Sequence, residues 1–288
     1  MSFDNLPDLG PFLLGGAQAH SERAFEMSKL AVPHLRSRLD QSYGAHAFQT
    51  LDLFLPHDST VRAAPIMVFF HGGAWRHGYK EWQGFMAPPL VTLPAIFVSA
   101  NYRLAPAAKM PTLFADCCDA VAWVWRNAER LGGDPNRIFV AGHSAGGHLA
   151  ALLTLRGDAL AARGLPAGCI KGCLPISAVF DLRRQSPGSS SLPDGLLNIV
   201  LEPECSGEAY SPMSHASNAT TRFFVTYGSR DEPFSIQQSR AFVQLLRSRG
   251  GTVEEHVAPD SSHFDTNLLC ADERSVWVST ARRWLAGG

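Results

Sequence analysis

The chain has 288 residues, of which 45% are hydrophobic and 18% are charged, so it can bury one large α/β domain or at most two small ones. These proportions are ordinary for a globular protein. The formal net charge of -1 gives no electrostatic reason to expect nucleic acid or an anionic membrane as a partner.

The N-terminal residues predict neither export nor membrane insertion. Residues 1–16 have no basic stretch ahead of a brief apolar patch, so we expect no secretory signal. No apolar run in the sequence approaches the ~20 residues that a membrane-spanning helix needs. We therefore expect a cytoplasmic protein.

Predicted strands alternate with predicted helices after an irregular N-terminal portion. Continuous apolar runs at 66–70 and 95–99 are typical of strands covered on both faces, whereas the alternating leucines of 48–55 indicate an edge strand. The predicted strands are 48–55, 66–70, 95–99, 137–141, 172–179, 222–227 and 252–257. The predicted helices are 111–131, 147–153, 235–249 and 272–285. This alternation predicts an α/β fold with a mainly parallel sheet and helices on both faces.

Residues 1–288 are predicted to form a single domain. The least regular internal segment, 181–214, is rich in Ser, Pro and Gly, and we expect it to form a loop or small lid across a cleft. Residues 1–44 form a second irregular stretch, which we expect to act as a cap-like segment over the same opening.

The most informative motif is Gly-His-Ser-Ala-Gly at 142–146. It follows an apolar predicted strand and precedes a predicted helix, and a serine on such a sharp turn is held in a strained backbone conformation that exposes its hydroxyl. Glycines flank the serine because a Cβ there would collide with the neighbouring strand or helix. The adjoining helix N-terminus also favours developing negative charge. The motif therefore predicts that Ser144 is a nucleophile.

A serine nucleophile needs a base, and the base needs an orienting carboxylate. After this kind of turn the expected chain order is Ser, then Asp or Glu, then His, with the last two at strand ends. Asp231 lies just past a predicted strand, and its neighbour Glu232 is the alternative acid. His263 lies on a polar loop after the last predicted strand and is the predicted base. His215, in the irregular segment, is the only serious rival.

A His-Gly-Gly-Ala-Trp segment at 71–75 directly follows another predicted strand. Backbone N–H groups from this turn and from the residue after the serine can point together at the negative oxygen of a tetrahedral intermediate. Trp75 is equally compatible with the core and with a pocket wall. The predicted oxyanion hole consists of Gly72, Gly73, Ala74 and Ala145.

Together these motifs resemble those of the α/β-hydrolase superfamily, and within it the branch with a His-Gly-Gly-x-Trp oxyanion motif. That branch includes hormone-sensitive-lipase-like esterases, small feruloyl-type esterases and the serine-type arylformamidases (kynurenine formamidases). The resemblance covers residues 43–284 and includes Asn-Tyr-Arg-Leu-Ala-Pro at 101–106 and Gly-Asp-Pro-Asn-Arg-Ile at 133–138. It implies an α/β-hydrolase fold with a small cap or lid.

Several details are similar to the arylformamidases in particular. They are Ser-Ala-Val-Phe-Asp-Leu at 177–182, Asp-Glu-Pro-Phe at 231–234 and His-Phe-Asp at 263–265, where lipase-like esterases more often place Gly after the His. The chain also departs from its relatives. Ala74 replaces the Gly or aromatic residue usual in the oxyanion motif, and lipase-like relatives commonly carry Asp and Glu at two other positions, here Asn101 and Ala107. The choice between ester and formamide substrates therefore stays open.

The resemblance implies a Ser144-His263-Asp231 triad that transfers an acyl group from a small carboxylic ester or an aryl formamide to water. The alternatives are an acyltransferase with the same triad and a non-catalytic ligand-binding protein on the same scaffold. No cofactor is implied, and no metal, because the six cysteines form no C-x-x-C pair and no compact His/Asp cluster is present. We expect a small-molecule substrate and a possible homodimer. The candidate pocket residues are Trp75, His143, Phe180 and Phe264.

Overall fold

The computed structural model describes residues 6–184 and 192–288, which form an eight-stranded sheet with helices on both faces. The strands are β1 (Arg36–Ser42), β2 (Thr50–Leu55), β3 (Ala64–Phe70), β4 (Ile96–Ala100), β5 (Gly133–His143), β6 (Ile170–Ile176), β7 (Arg222–Arg230) and β8 (Val253–Ser262). The α-helices are α1 (Ala17–Ala31), α2 (Pro88–Val91), α3 (Thr112–Asn127), α4 (Ala145–Leu155), α5 (Gly157–Ala161), α6 (Asp194–Val200), α7 (Pro233–Ser248), α8 (Asp265–Leu268) and α9 (Val276–Leu285). Short 3₁₀ helices cover Val32–His34, Lys80–Met86, Glu129–Leu131, Glu208–Tyr210, Pro212–Asn218 and Leu269–Ala271.

The strands lie in the order β1-β2-β4-β3-β5-β6-β7-β8. β2 is antiparallel to both of its neighbours, and every other neighbouring pair is parallel. The predicted fold class, a mainly parallel sheet covered on both faces, is confirmed. In the parallel part the carboxyl ends of the strands meet at one edge, which is where such sheets bind ligands.

Apolar side chains on both faces hold the helices to the sheet. β3 and β4 are buried along their whole lengths, as their apolar runs predict. Helices α3, α4 and α7 contribute to the core on one face, and α1, α2 and α9 to the core on the other. Among the residues described, no helix combines the length and the apolar composition needed to cross a bilayer.

The prediction that 48–55 is an edge strand is wrong. β2 pairs with β4 on one side and with β1 on the other, and every residue of β2 is buried. The outer position belongs to β1, whose sequence is polar and mostly exposed. A polar edge strand has no apolar alternation for a sequence pattern to detect, and charge on an edge discourages pairing with other chains.

The irregular N-terminal portion contains a helix that the sequence did not predict. Helix α1 packs against the 3₁₀ segment Lys80–Met86, where the N–H of Phe85 donates to Ser28 Oγ over 3.1 Å. Ala24 lies in the core together with Phe85. The buried residues of α1 are small (Ala17, Ser21, Ala24 and Ser28), so its apolar stripe is too weak to stand out in the sequence.

A buried ion cluster joins the edge of the sheet to this 3₁₀ segment. Lys80 is 1% exposed, and its Nζ donates to carboxylate oxygens of Asp40, Asp52 and Glu81, each over 2.8 Å. Burial raises the pKa of Asp52 and of Glu81, and the positive charge of Lys80 offsets part of each rise. The lysine therefore lowers the cost of burying these two carboxylates in their charged form.

We expect Lys80→Met to lower the free energy of unfolding by about 3–5 kcal/mol at pH 8, because it leaves two buried carboxylates without their cation. Without the lysine, Asp52 and Glu81 should have higher pKa values in the folded protein than in the unfolded chain, so the folded protein binds protons more tightly. The free energy of unfolding of the variant therefore falls as the pH rises from the unfolded to the folded pKa values. The variant should therefore recover part of its deficit at pH 5. Urea unfolding of both proteins at pH 5 and pH 8 measures this, and equal deficits would contradict it.

Candidate active site

Four turns meet at the carboxyl edge of the parallel strands. Each directly follows a strand: the turn at 71–75 follows β3, Ser144 follows β5, Asp231 follows β7 and His263 follows β8. The chain brings these residues together because parallel neighbours present their carboxyl ends on the same side. The edge therefore carries a serine, a histidine and a carboxylate next to a glycine-containing turn.

Ser144 occupies the strained turn between β5 and α4. Its backbone angles are φ 52° and ψ -118°, outside the usual regions for a residue with a side chain. The turn is held by the N–H of Ser144, which donates to the carbonyl of Ile176 over 2.8 Å. Gly146 lies so close to β3 that a Cβ would come within 2.0 Å of the carbonyl oxygen of Phe70. Only glycine therefore lets α4 start at this distance from the sheet.

We expect Gly146→Ala to destabilise the fold by about 3 kcal/mol, because the added methyl group must push α4 away from β3. Gly157→Ala is the matched control, since an added Cβ there meets nothing within 4 Å and Ala is the better helix former. Thermal unfolding should show a clear drop in Tm for the first variant and none for the second. Equal Tm values for the two variants would contradict the close packing.

His263 connects Ser144 to Asp231. Its Nδ1–H donates to Asp231 Oδ1 over 2.7 Å, and its Nε2 lies 2.9 Å from Ser144 Oγ. The carboxylate can only accept, so the Nε2 of the neutral ring is left to accept the serine proton. All three side chains are buried. The arrangement can deprotonate a hydroxyl as it attacks an electrophile.

The carboxylate of Asp231 is held by several donors besides His263. Ser177 Oγ donates to Oδ2, the N–H of Glu232 donates to Oδ1 over 2.7 Å, and the N–H of Gly228 donates to Oδ2 over 3.2 Å. Burial alone would raise the pKa of Asp231, but the hydrogen bond and charge of His263 and the other donors lower it below its ordinary value. The carboxylate is thus kept ionised beside the imidazole.

Of the two acids that the sequence left open, Asp231 is the one whose side chain reaches His263; Glu232 contributes its backbone N–H. The rival base His215 lies elsewhere, with its Nε2 hydrogen-bonded to the carbonyl of Ala209. Ser177 was not predicted as part of the site. It directly follows the end of β6 at Ile176, whereas the predicted strand extended to residue 179 and so placed Ser177 inside a strand, where the rule that selected Asp231 and His263 did not apply.

The turn at 71–75 has three successive residues with positive φ. The values are 119° at Gly73, 53° at Ala74 and 59° at Trp75. A Cβ on Gly73 would come within 2.1 Å of the carbonyl oxygen of His77, so this position requires glycine. In the described part of the chain, the N–H groups of Gly73, Ala74 and Ala145 donate to no protein acceptor. Gly72, Gly73, Ala74 and Ser144 line the same cavity, so an oxyanion hole there remains our prediction.

Two of the four candidate pocket residues lie in the core instead. Trp75 is 1% exposed, and its Nε1–H donates to His148 Nδ1 over 3.3 Å. Phe180 is fully buried and stacks on Phe242 with 4.2 Å between ring centroids. Both side chains point into the packing on the α4 and α7 side of the sheet, so their assignment to the pocket is corrected.

The other two candidates, His143 and Phe264, line the cavity beside Ser144. The Nε2–H of His143 donates to the carbonyl oxygen of His263 over 2.8 Å. Burial, and then the nearby charge of His263, lower the pKa of His143 well below its usual value. His143 is therefore a neutral group that holds the backbone of the base rather than a second base.

His148 links the turn at 71–75 to the segment 192–214. Its Nε2–H donates to the carbonyl of Tyr210 over 2.7 Å, which leaves Nδ1 to accept from Trp75. Burial lowers the pKa of His148 to about 4, so it stays neutral and keeps this tautomer. His148 is thus a positioning residue for the strained turn.

We expect His148→Phe to lower kcat about 10- to 100-fold with little change in KM, because a loosened turn misplaces donors that matter in the transition state. His215→Phe is the matched control, since His215 contacts no residue of this turn, and it should change neither constant more than about twofold. A rise in KM at constant kcat for His148→Phe would contradict the positioning role.

The cavity above Ser144 has a volume of about 50 Å³, and much of its wall comes from the N-terminal segment. Phe12, Leu14 and Ala17 contribute apolar surface, and His20 and Gln83 contribute polar groups. The sequence predicted that residues 1–44 lie over this opening, but it identified none of these side chains as pocket residues. Residues 181–184 and 192–214, the described part of the expected lid, do not line this cavity. The rest of that lid, 185–191, lies outside the described residues.

Across the described ranges, no group of three or more His, Cys, Asp or Glu side chains is placed to hold a metal ion.

Comparison with protein families matches residues 51–246 to the family described as BD-FAE. The chain is 34% identical over 218 residues to Esterase LipC of Mycobacterium tuberculosis, covering 72% of this chain and 54% of LipC, so it spans about half the length of that relative. It is 29% identical over 237 residues to the kynurenine formamidase of Danio rerio, covering 82% of this chain and 77% of that protein.

A similar solved structure is that of a hyperthermophilic esterase from the archaeon Pyrobaculum calidifontis. It matches with a TM-score of 0.74 and 23% sequence identity, covering 93% of this chain and 91% of that chain. At this level of identity the match shows a shared fold.

Proposed function

The chain belongs to the BD-FAE family and has the α/β-hydrolase fold, and on that premise we propose that it is a serine hydrolase that cleaves small carboxylic esters or aryl formamides. One observation carries the proposal: His263 Nε2 lies 2.9 Å from Ser144 Oγ while its Nδ1 lies 2.7 Å from Asp231 Oδ1. A nucleophile, a base and an orienting acid in hydrogen-bonding contact are what acyl transfer requires, and the chain order nucleophile, acid, base is the one expected after a turn of this kind.

The first half of the reaction forms an acyl-enzyme. His263 Nε2 takes the proton of Ser144 as Oγ attacks the substrate carbonyl, and Asp231 stabilises the imidazolium. The N–H groups of Gly73, Ala74 and Ala145 hold the negative oxygen of the tetrahedral intermediate. The intermediate collapses as its bond to the leaving group breaks, and His263 gives its proton to the departing alcohol or amine.

In the second half, water replaces the leaving group. His263 removes a proton from the water as the water oxygen attacks the acyl carbon, and a second tetrahedral oxyanion forms in the same hole. Collapse of that intermediate breaks the bond to Ser144 Oγ, and His263 returns the proton to the serine. This half-reaction releases a carboxylic acid and regenerates the free enzyme, and its proton transfers balance without a cofactor.

The cavity supports a small acyl group. A water molecule needs about 10–15 Å³, so about 50 Å³ is the space of a few water molecules and favours a formyl or acetyl group over an octanoyl chain at Ser144. The names of the relatives support both substrate classes, since LipC is named an esterase and the Danio rerio relative a kynurenine formamidase. We therefore propose short acyl groups for either class.

The test is kcat/KM on N-formylkynurenine beside p-nitrophenyl acetate, butyrate and octanoate, with Ser144→Ala as the blank. We expect acetate to exceed octanoate at least tenfold. Turnover of the formamide well above that of the esters would assign formamidase activity, and turnover of short esters alone would assign carboxylesterase activity. No turnover of any of the four above the blank would refute the proposed function.

A further inference from the structure

Helix α1 brings a histidine to the wall of the cavity that contains Ser144. The ring of His20 stacks on Phe264 with 4.9 Å between centroids and an angle of 26° between planes. It also lies 5.9 Å from the ring of His143. Because Phe264 directly follows the base His263, His20 belongs to the immediate surroundings of the reacting atoms, and the triad mechanism gives it no task.

The hydrogen bonds of His20 fix its tautomer. Asn267 Nδ2 donates to Gln83 Oε1 over 3.3 Å, so the amide oxygen of Asn267 is the atom that faces His20. That oxygen lies 3.0 Å from His20 Nε2 and can only accept, so Nε2 carries the hydrogen. Burial lowers the pKa of His20 to about 4, with the Asn267 hydrogen bond opposing the fall. At neutral pH, His20 Nδ1 is therefore a bare acceptor.

Gln83 supplies the complementary group. Its Oε1 is occupied by Asn267, which leaves the two hydrogens of its Nε2 as donors. Among the described residues, the side-chain hydrogen bonds of His20 and Gln83 use His20 Nε2 and Gln83 Oε1, and neither His20 Nδ1 nor Gln83 Nε2 has a protein partner. Both residues line the cavity with Ser144. One acceptor and one donor, both held by Asn267, are thus available to a ligand.

Apart from His77, His143, Ser144 and His263, the rest of the wall is apolar and aromatic. Phe12, Leu14, Trp82 and Phe264 line it, and none of the described lining residues is Lys, Arg, Asp or Glu. A charged ligand group would find no counter-ion there and would have to lose its hydration. The surroundings therefore suit an uncharged aromatic group that carries a hydrogen-bond donor next to an acceptor.

We propose that His20 and Gln83 form a specificity subsite for an uncharged amide-like group on an aromatic substrate, whose N–H donates to His20 Nδ1 and whose carbonyl oxygen accepts from Gln83 Nε2. The inference rests on the proposed function, since it names the class of ester or anilide that this hydrolase prefers. His20 and Gln83 bind the substrate and take no part in bond breaking.

A matched pair of substrates tests the subsite. Carbamoylphenyl acetate and acetylphenyl acetate, each as the meta and para isomer, differ only in an NH₂ that replaces a CH₃ beside the same carbonyl. The wild-type enzyme should favour the carbamoyl compound in kcat/KM by about fivefold or more for at least one isomer, the effect of one neutral hydrogen bond. A ratio near one for both isomers would overturn the subsite while leaving ester hydrolysis intact.

Variants of His20 test whether this residue causes the preference for the carbamoyl compound. His20→Phe keeps a ring against Phe264 and removes the acceptor, so it should reduce kcat/KM for the carbamoyl compound more than for the acetyl compound and bring the ratio near one. His20→Asn offers an amide oxygen in place of Nδ1 and should keep part of the ratio. His34→Phe, the same substitution at an exposed histidine outside the cavity, should keep all of it.

The outcomes separate this inference from the proposed function. An unchanged ratio in folded His20→Phe, with Tm as the check on folding, would overturn the role of His20. Should His20→Phe fail to fold, Gln83→Leu decides through the absolute values of kcat/KM, because the carbonyl oxygen that Gln83 binds is common to both compounds. Both values should fall, and unchanged kcat/KM for both compounds would overturn the subsite. If the wild type cleaves neither compound above the Ser144→Ala blank, both the proposed hydrolase function and the proposed subsite are refuted.

Discussion

Ser144→Ala is expected to lower kcat by about 10⁴- to 10⁶-fold and to leave the fold intact. The side chain makes one polar contact, to His263 Nε2, and the methyl group of alanine fits where the Cβ of serine already lies. The positive φ of 52° is shared by both residues, so the substitution adds no new backbone strain. Activity should fall because, among the described residues, no other hydroxyl is hydrogen-bonded to the imidazole.

The measurement is turnover of p-nitrophenyl acetate by rigorously purified protein, with Tm as the folding control. Labelling by a fluorophosphonate provides a second readout, because the wild type should gain one covalent adduct at Ser144 and the variant none. Residual activity within about tenfold of the wild type, with an adduct at another residue, would place the nucleophile elsewhere.

Asp231→Asn is expected to lower kcat about 10⁴-fold. An amide at this position can donate its N–H to His263 Nδ1, which stabilises the tautomer whose Nε2 carries the hydrogen. That tautomer cannot accept the proton of Ser144, so the base is lost although every side chain stays near its place. Ser177 would still find an acceptor in the amide oxygen, so the fold should tolerate the change.

Glu232→Gln is the matched control for that prediction. This substitution removes the negative charge of Glu232, which is adjacent to Asp231 in the chain. The side chain of Glu232 is not hydrogen-bonded to His263, so kcat should change less than about threefold. The pH profile adds a further check, because activity of Asp231→Asn should rise at alkaline pH as hydroxide assists the step that the base no longer performs. Comparable losses in the two variants would show that charge near the site matters more than the hydrogen bond to His263.

The sequence could predict the sheet and the residues at its carboxyl edge because both depend on local patterns. Apolar runs mark the buried strands, and Ser144, Asp231 and His263 each directly follow one. β1 and α1 lacked such patterns, since β1 is polar and exposed and the buried face of α1 consists of alanines and serines. Their positions are set by what they pack against rather than by their own composition.

The walls of the cavity could not be predicted for a related reason. Aromatic residues near a motif can point to either side of the sheet, and Phe180 turned toward Phe242 while Phe264 turned toward His20. The proposed subsite residues His20 and Gln83, and the Asn267 side chain that holds both, come from three separate stretches, α1, the 3₁₀ segment Lys80–Met86 and α8. Unlike the ends of parallel strands, these three stretches follow no rule of sheet topology that would predict from the sequence which of their side chains meet.

The N-terminal residues that wall the cavity have an evolutionary consequence. Phe12, Leu14 and His20 lie before the first strand, whereas Ser144, Asp231 and His263 follow β5, β7 and β8. Substitutions at those early positions can change the substrate preference without disturbing the strands that hold the reacting groups. Exchange of residues 6–31 between paralogous enzymes should therefore transfer substrate preference while the recipient keeps its own chemistry.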